Sequence, residues 1–488
     1  MTRRTKIVAT VGPASDSPEV LRQLIGAGVD VVRLNLSHGT IEEHLDRLRR
    51  VREAARDVDR FVAVLADLPG PKIRSGPMPD RGLVFEVGHT VRLAPGSGPC
   101  ADGLITVDYP PLLDDLAAGT RVRLGDGAIS MLVDDVGSDA AHAKIEAGGT
   151  CSGRPGVHLP SERLRLRTPT DADLVLADAM AEAGADFLAV SFVREPGDVR
   201  KVRAVVGDRA RLVAKIETSA AIGKLDEIVA ASDAVMVARG DLGIDCPIED
   251  VPHLQKTIVR HCVEVGVPVI TATQMLESMI SAPSPTRAEV SDVANAVFDG
   301  TDALMLSGET AIGRDPVAVV EVMVTVAARA ESEASYRRWA RHLSRVQRGP
   351  RRPDAPDTDA ITDAVTHAAS EAASDVDARA ILCCTRSGRT ANAMARFRPA
   401  SQLLGLAPDV RTARALALTW GVTPLHVDTY GSTDEMVWFA IERGLESGTV
   451  DRGDIVLVLA GAPDLRPASE STDVSLPATD VLRIVRVD

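Results

Sequence analysis

The chain has 488 residues, a net charge of −14, 45% apolar and 25% charged residues, and only 3% aromatics. That length calls for two to four domains with an Ala/Val-filled core, and the acidic balance excludes a generic nucleic-acid binder without excluding a local Arg/Lys cluster that meets an anion. Six cysteines without a C-x-x-C pair fit a reducing cytoplasm, MTRRTKIVATVGPAS lacks the apolar run of a signal peptide, and no stretch approaches a membrane span.

TKIVATVGP reads as a strand stopped by Gly12-Pro13. SPEVLRQLIGAG reads as a helix with Ser17 at the N-cap, Pro18 in the first turn and Gly26/Gly28 at its end. VDVVRLNLSHG, HLDRLRRVREAARD and FVAVLADL continue as strand, helix and strand. Near-continuous apolar strands alternating with helices predict a parallel sheet covered on its outside. From about Gly70 to Leu166 the segments become short and rich in Gly, Pro and Asp, as expected of an inserted, antiparallel β-rich unit. The α/β rhythm then resumes with DFLAVSFV, LVAKIE, AVMVARGD, VPVITATQ and DALMLSGET. Three strands before the insertion and five after it make eight, and about 250 residues outside the insertion is the usual size of a (β/α)8 TIM barrel. A doubly wound open sheet is the alternative; the strand count and the charge after most strands favour closure. The last barrel helix is expected to end near Arg348, and RVQRGPRRPDAPDTD reads as a linker. Beyond it, ARAILCCT, SQLLGLAP, VTPLHV, DIVLVLAG and VLRIVRV, with intervening helices, predict a separate C-terminal α/β domain. The expected boundaries are 1–70 plus 166–347 for the barrel, 71–165 for the insertion and 357–488 for the last domain.

In a barrel all strands point their carboxyl ends at one mouth, so the residues just after each strand mark the site. Strand two ends with Arg33, Asn35, Ser37 and His38, and strand three with Asp67, followed by Leu68, Lys72 and Arg74. Strand five supplies Lys215 and Glu217, two residues apart and therefore on one face. Strand six supplies Arg239, Gly240 and Asp241, strand seven Thr273 and Gln274, and strand eight Ser307 and Glu309. The cationic residues suit a phosphorylated substrate. Glu217 and Asp241 are hard oxygen donors suited to Mg²⁺ or Mn²⁺. Each has an ordinary alternative: a structural ion pair for Lys215 and Glu217, a helix cap for Asn35, Ser37 or Asp241, and a structural role for His38.

The stretches TKIVATVGPAS, RLNLSHG, GPKIRSG, AKIE, MVARGDLGI, ATQMLESM and SGETAIG, in that order and with an insertion after strand three, resemble the pyruvate kinase family. The resemblance implies a mobile lid after strand three, a C-terminal effector domain and a cytoplasmic homotetramer. It implies transfer of the phosphoryl group of phosphoenolpyruvate to ADP, giving pyruvate and ATP in the last step of glycolysis, with no nucleic-acid or membrane partner. By motif position, Glu217 and Asp241 would hold the divalent ion, and the amides of Gly240 and Asp241 would bind the substrate carboxylate. Lys215 would sit over the transferring phosphoryl. Arg33 and Arg74 would clamp phosphates, with Asn35, His38 and lid Asp126 in the nucleotide set. Thr273, backed by Ser307 and Glu309, would serve enolate protonation. Asn35, Ser37, Asp67 and the Leu68 carbonyl would form the monovalent-cation position.

Here the chain departs from many relatives, which carry glutamate where it has Lys72. A fixed ammonium there predicts activity without K⁺; an exposed lysine on the lid hinge is the alternative. Arg154-Pro155 replaces a pair of lid lysines, and Thr218-Ser219-Ala220-Ala221 replaces a more polar run. In the C-terminal domain Thr385, Arg386, Ser387, Gly388, Arg389 and Thr390 open a helix after an apolar strand and resemble the family's phosphate loop for an effector, expected to be a phosphorylated metabolite; an ordinary capped turn is the alternative.

Overall fold

The computed structural model describes residues 3–125, 127–161, 165–333, 357–428, 432–461 and 478–488. Eight parallel strands, Lys6–Thr10, Val31–Asn35, Ala63–Asp67, Phe187–Val190, Arg211–Ile216, Ala234–Ala238, Val269–Ala272 and Ala303–Leu306, close into a barrel. Small side chains such as Ala63, Ala189, Ala234 and Ala303 fill its interior beside Leu65 and Met236, as a narrow barrel requires. The first helix spans Pro18–Ala27, with the Ser17 hydroxyl accepting from the Val20 amide, and ends at Gly28, whose φ of 124° suits only glycine. The second helix starts earlier than its apolar pattern suggests. It spans Ile41–Asp57 because Thr40 and Glu43 form a reciprocal capping box.

The insertion is a β-rich domain with its own core around Leu93, Ile105, Val122 and Met131. Its six-stranded sheet has the order Val157–His158, Arg121–Leu124, Ile129–Val136, Ala141–Ala147, Thr90–Pro95, Leu104–Val107. One pairing corrects the all-antiparallel expectation: Thr90–Pro95 and Leu104–Val107 run parallel. The link over residues 96–103 turns back through an Ala101–Leu104 bridge, so the Gly/Pro signals there mark a loop and not a hairpin.

The C-terminal domain is a five-stranded sheet in the order Val422–His426, Gln402–Ala407, Ala380–Cys384, Ile455–Ala460, Val481–Arg486, the last strand antiparallel. It plugs the amino end of the barrel: Ala415, Ala417 and Leu418 join the interior core. Buried Arg398 pairs with Asp302 at 3.0 Å and stacks on Trp420. The stretch expected as a linker, and the end of the helix before it, lie outside the described residues; the preceding helix is seen over Pro316–Glu331.

Lys6 sits in the same junction, donating to the Val422 carbonyl at 2.7 Å. Burial pushes its pKa down to about 8 from 10.5, against the pull of Asp30. Between pH 8 and 10.5 the unfolded chain therefore binds more protons than the folded one, and stability rises with pH across that window. Below it a constant cost of ~3 kcal/mol remains. Denaturant unfolding of wild type and Lys6→Met is expected to show wild type gaining on the variant from pH 8 to 10.5; parallel curves would contradict it.

Candidate active site

The charged residues predicted at the strand ends converge on the barrel mouth. Lys215 and Glu217 face the same way from strand five, with the Lys215 ammonium 2.8 Å from Glu217 Oε1 and 3.2 Å from Asp67 Oδ1. It also donates to the Ser191 hydroxyl at 2.7 Å. The other oxygen of Asp67 accepts from Arg33 at 2.7 Å, and Arg33 reaches the Thr10 hydroxyl at 3.0 Å. Burial alone would raise the Asp67 carboxyl, but Lys215 and Arg33 outweigh it and hold it below the usual carboxylate range. Burial also acts against the Lys215 charge, yet Asp67 and Glu217 raise its pKa above an ordinary lysine's. Glu217 goes the other way: burial first, then repulsion from Asp241, pushes its carboxyl up despite Lys215. Its Oε2 accepts from the Phe192 amide at 2.6 Å, while its buried Oε1 faces the Lys215 ammonium.

Those features fit a divalent cation. Two neighbouring carboxylates, Glu217 and Asp241, repel one another, and burial disfavours the Glu217 charge, so a cation between them would relieve both. Two carboxylates leave most coordination positions to water and substrate, which is the habit of Mg²⁺.

Asp241 lies in the first turn of a short helix, Arg239–Asp245, that follows strand six directly. Gly240 donates its amide to the Thr273 hydroxyl at 2.8 Å. Thr273 and Gln274 have φ of 70° and 53°, a region costly for a β-branched residue. Phe192, beside Glu217, has φ 55°, so three of the six positive-φ non-glycine residues described lie at this mouth. Arg239 turns away, bound to Asp292 at 2.7 Å and to the carbonyls of Ala272, Thr273 and Gln274. Glu309 is buried and spends both oxygens on main-chain amides, those of Leu276 and Ser307. Lys72 reaches across from the start of the insertion and donates to the Ser37 hydroxyl at 2.9 Å, while Asn35 accepts from the Ser37 amide. Lys72 is exposed; partial desolvation at the cleft and nearby Lys215 lower its pKa, and Asp241, Asp67 and Glu217 counter them. The Leu68 carbonyl accepts from Ser191 at 2.7 Å. The His38 ring is exposed; it is the His38 carbonyl that binds the His44 ring. Arg74 donates to the Arg154 carbonyl. Asp126 lies outside the described residues.

Between the mouth and the β-rich domain is a cavity of about 630 Å³, lined among others by Lys72, Arg74, Arg123, His158, Glu217 and Asp241. Residues 2–320 match the family model "Pyruvate kinase, barrel domain", and residues 363–475 match "Pyruvate kinase, alpha/beta domain". The chain belongs to the pyruvate kinase family. It is 40% identical over 461 residues to a pyruvate kinase of Methylorubrum extorquens, covering 94% of each chain. It is 39% identical over 469 residues to that of Geobacillus stearothermophilus, covering 95% of this chain and 78% of the relative. With pyruvate kinase 2 of Synechocystis sp. it shares 41% over 479 residues, 97% and 78% respectively. As a pyruvate kinase the chain is a phosphoryl-transferring enzyme.

Several residues of this pyruvate kinase mouth escaped the reading of strand ends. Ser191 and Phe192 follow strand four and Thr10 closes strand one, two strands whose ends carry no charge. Arg121, Arg123 and His158 come from the insertion, where no local pattern announces which side faces the barrel. In the C-terminal domain the Thr385–Thr390 loop is satisfied internally. Thr385 accepts from the Gly388 amide at 2.9 Å, Arg389 pairs with Asp359 at 2.7 Å, Thr390 meets Thr479 at 2.7 Å, and Arg211 donates to the Ser387 carbonyl at 2.7 Å. No helix among the described residues is long and apolar enough to cross a membrane.

Proposed function

We propose that the enzyme transfers the phosphoryl group of phosphoenolpyruvate to ADP at the barrel mouth, giving pyruvate and ATP, and that it does so without K⁺. The observation that carries the reading is the buried Lys215 ammonium between Asp67 and Glu217, beside the Gly240–Asp241 turn. Glu217 and Asp241 hold Mg²⁺ or Mn²⁺, which when bound neutralises phosphoryl and carboxylate charge. The Gly240–Asp241 turn, whose Gly240 amide rests on the Thr273 hydroxyl until substrate arrives, faces the substrate carboxylate, and Lys215 meets the charge that builds on the transferring group. Arg33, fixed by Asp67 and Thr10, and Arg74 orient phosphates; Asn35, His38 and Asp126 complete the nucleotide set. Thr273, with its hydroxyl held between the Gly240 amide and the Ala272 carbonyl, stands on the proton path to the enolate. Ser307 and Glu309 shape that path, since Glu309 fixes the loop amides around it. A silent metabolite binder on the same scaffold would not need this charge arrangement.

K⁺ independence follows from Lys72. Its ammonium donates to the Ser37 hydroxyl and feels the Asp67 carboxylate, two members of the set read as the monovalent-cation position, which supports an internal replacement for that cation. Initial rates of ADP-dependent pyruvate formation in K⁺-free, Na⁺-free buffer are expected to be near maximal, and Lys72→Glu is expected to make the rate depend on KCl. A many-fold rise of the wild-type rate on adding KCl at constant ionic strength would overturn this.

The division into barrel (1–70 and 166–347), lid (71–165) and effector and oligomerisation domain (357–488) belongs to the same proposal, as do a cytoplasmic location and a homotetramer; exposed Trp438 and Ile484 give the last domain apolar surface for a second copy. A phosphorylated metabolite acts at Thr385–Thr390 by displacing Asp359 from Arg389. Changing Arg386, Arg389 and Thr390 together to Ala is expected to abolish one effector's response and leave basal kcat; an unchanged response to every phosphorylated metabolite tested would refute that site.

A further inference from the structure

The short helix Arg239–Asp245 presents Gly240 and Asp241 to the mouth at one end. Its other end is gripped by the inserted domain. Arg123, on the strand Arg121–Leu124, donates to the Gly243 carbonyl at 3.0 Å and to the Ile244 carbonyl. Gly127, with φ 85°, lies so close that a Cβ there would stand 3.2 Å from the Ile244 side chain. Asp245 accepts from the Ser161 amide and hydroxyl at 3.1 and 2.7 Å, where the chain returns from the insertion, and from the Ser219 amide and hydroxyl at 2.6 and 2.8 Å. Ser219 is two residues beyond Glu217, and Asp245 is four beyond Asp241. One carboxylate thus ties together the lid's return crossing and the segments that bear both candidate metal ligands.

The helix spans about two turns, so its last turn, held by Arg123 and Asp245, lies one turn from Gly240 and Asp241. We infer that Arg123 is a positioning residue that docks the lid on the Arg239–Asp245 helix and so ties lid closure to the Gly240–Asp241 turn. The guanidinium reaches both adjacent carbonyls through one terminal nitrogen, Nη1, held at the end of a long stem. Asp245 with Ser161 sets the hinge side of the same dock, and the cavity beneath it is the space that docking encloses. Docking adds to the closed form whether ground state or transition state occupies it, so its loss is read in KM more than in kcat. This inference rests on the proposed role of the Gly240–Asp241 turn.

The test compares full-length wild type with Arg123→Met, which keeps the apolar stem, and Arg123→Lys, which keeps the charge on a shorter, single-nitrogen head. Hydrogen–deuterium exchange without substrates is expected to speed up about tenfold at the Cys246 amide, which closes the helix onto the Leu242 carbonyl, in the Met variant. Exchange in the lid strand Ile129–Val136 should stay as in wild type. KM for phosphoenolpyruvate and for ADP should each rise about tenfold with kcat within about twofold, and the Lys variant should lie between. Unchanged exchange at Cys246, or both KM values within twofold of wild type, overturns the inference. An inactive wild type would instead refute the function, with the exchange arm still reporting on the dock.

Discussion

Replacing Lys215 with methionine is expected to lower kcat by ~10³-fold or more, measured at saturating phosphoenolpyruvate, ADP and Mg²⁺ on protein shown to be folded. The ammonium is buried, hydrogen-bonded to Ser191, and held between Asp67 and Glu217. Its charge is therefore fixed before substrate arrives, and little reorganisation is needed when negative charge develops beside it. The substitution also has a stability cost. Asp67 keeps Arg33, but Glu217 keeps only the Phe192 amide against the repulsion of Asp241. Removing one partner of such a buried set costs ~3–5 kcal/mol, so the melting temperature should fall, and Mg²⁺ should restore part of it by neutralising Glu217. A kcat within tenfold of wild type, with the fold intact, would remove this ammonium from the reaction.

The second large effect is at Glu217. Glu217→Gln keeps the side-chain shape and an oxygen for the Phe192 amide but removes one of the two carboxylates proposed to hold the cation. The Mg²⁺ concentration for half-maximal rate is expected to rise ~10²-fold or more, because affinity at such sites follows ligand charge. Stability without metal should not fall in step. Lys215 retains Asp67, and the carboxylate that burial and Asp241 both disfavour is gone. Mn²⁺ binding followed by electron paramagnetic resonance separates this from a folding defect. Unchanged Mn²⁺ affinity in a folded variant would place the cation elsewhere.

These two residues were legible in the sequence because a strand has a period of two. LVAKIE could present Lys215 and Glu217 only to one side, and the barrel rule says which end of the strand faces ligand. The same logic reached Arg33, Asp67, Asp241 and Thr273. It stopped at strands one and four, whose ends carry Thr10 and Ser191 and no charge, although both hydrogen-bond to the central cations. Charge is a loud signal, and a hydroxyl that orients a charge is a quiet one. The left-handed backbone at Phe192, Thr273 and Gln274 had no sequence signal at all, because nothing in VSFV or ATQM calls for it; tertiary packing imposes it. The helix start at Thr40 is readable from T-x-x-E, and the helix begins three residues ahead of the HLDRL stretch. The parallel pairing of Thr90–Pro95 with Leu104–Val107 was not readable, since Gly and Pro mark that the chain turns but not where it returns. Arg123 is the same kind of case: its partners are main-chain carbonyls more than a hundred residues away.

The account comes down to one measurement, pyruvate formation from phosphoenolpyruvate by the purified enzyme, with ADP and Mg²⁺ each present or omitted, in buffer free of K⁺ and Na⁺. The predicted result is turnover that requires both ADP and Mg²⁺, with ATP formed in equal amount to pyruvate. Absence of ADP-dependent pyruvate with Mg²⁺ present, under every phosphorylated effector tried and with K⁺ restored, would contradict it.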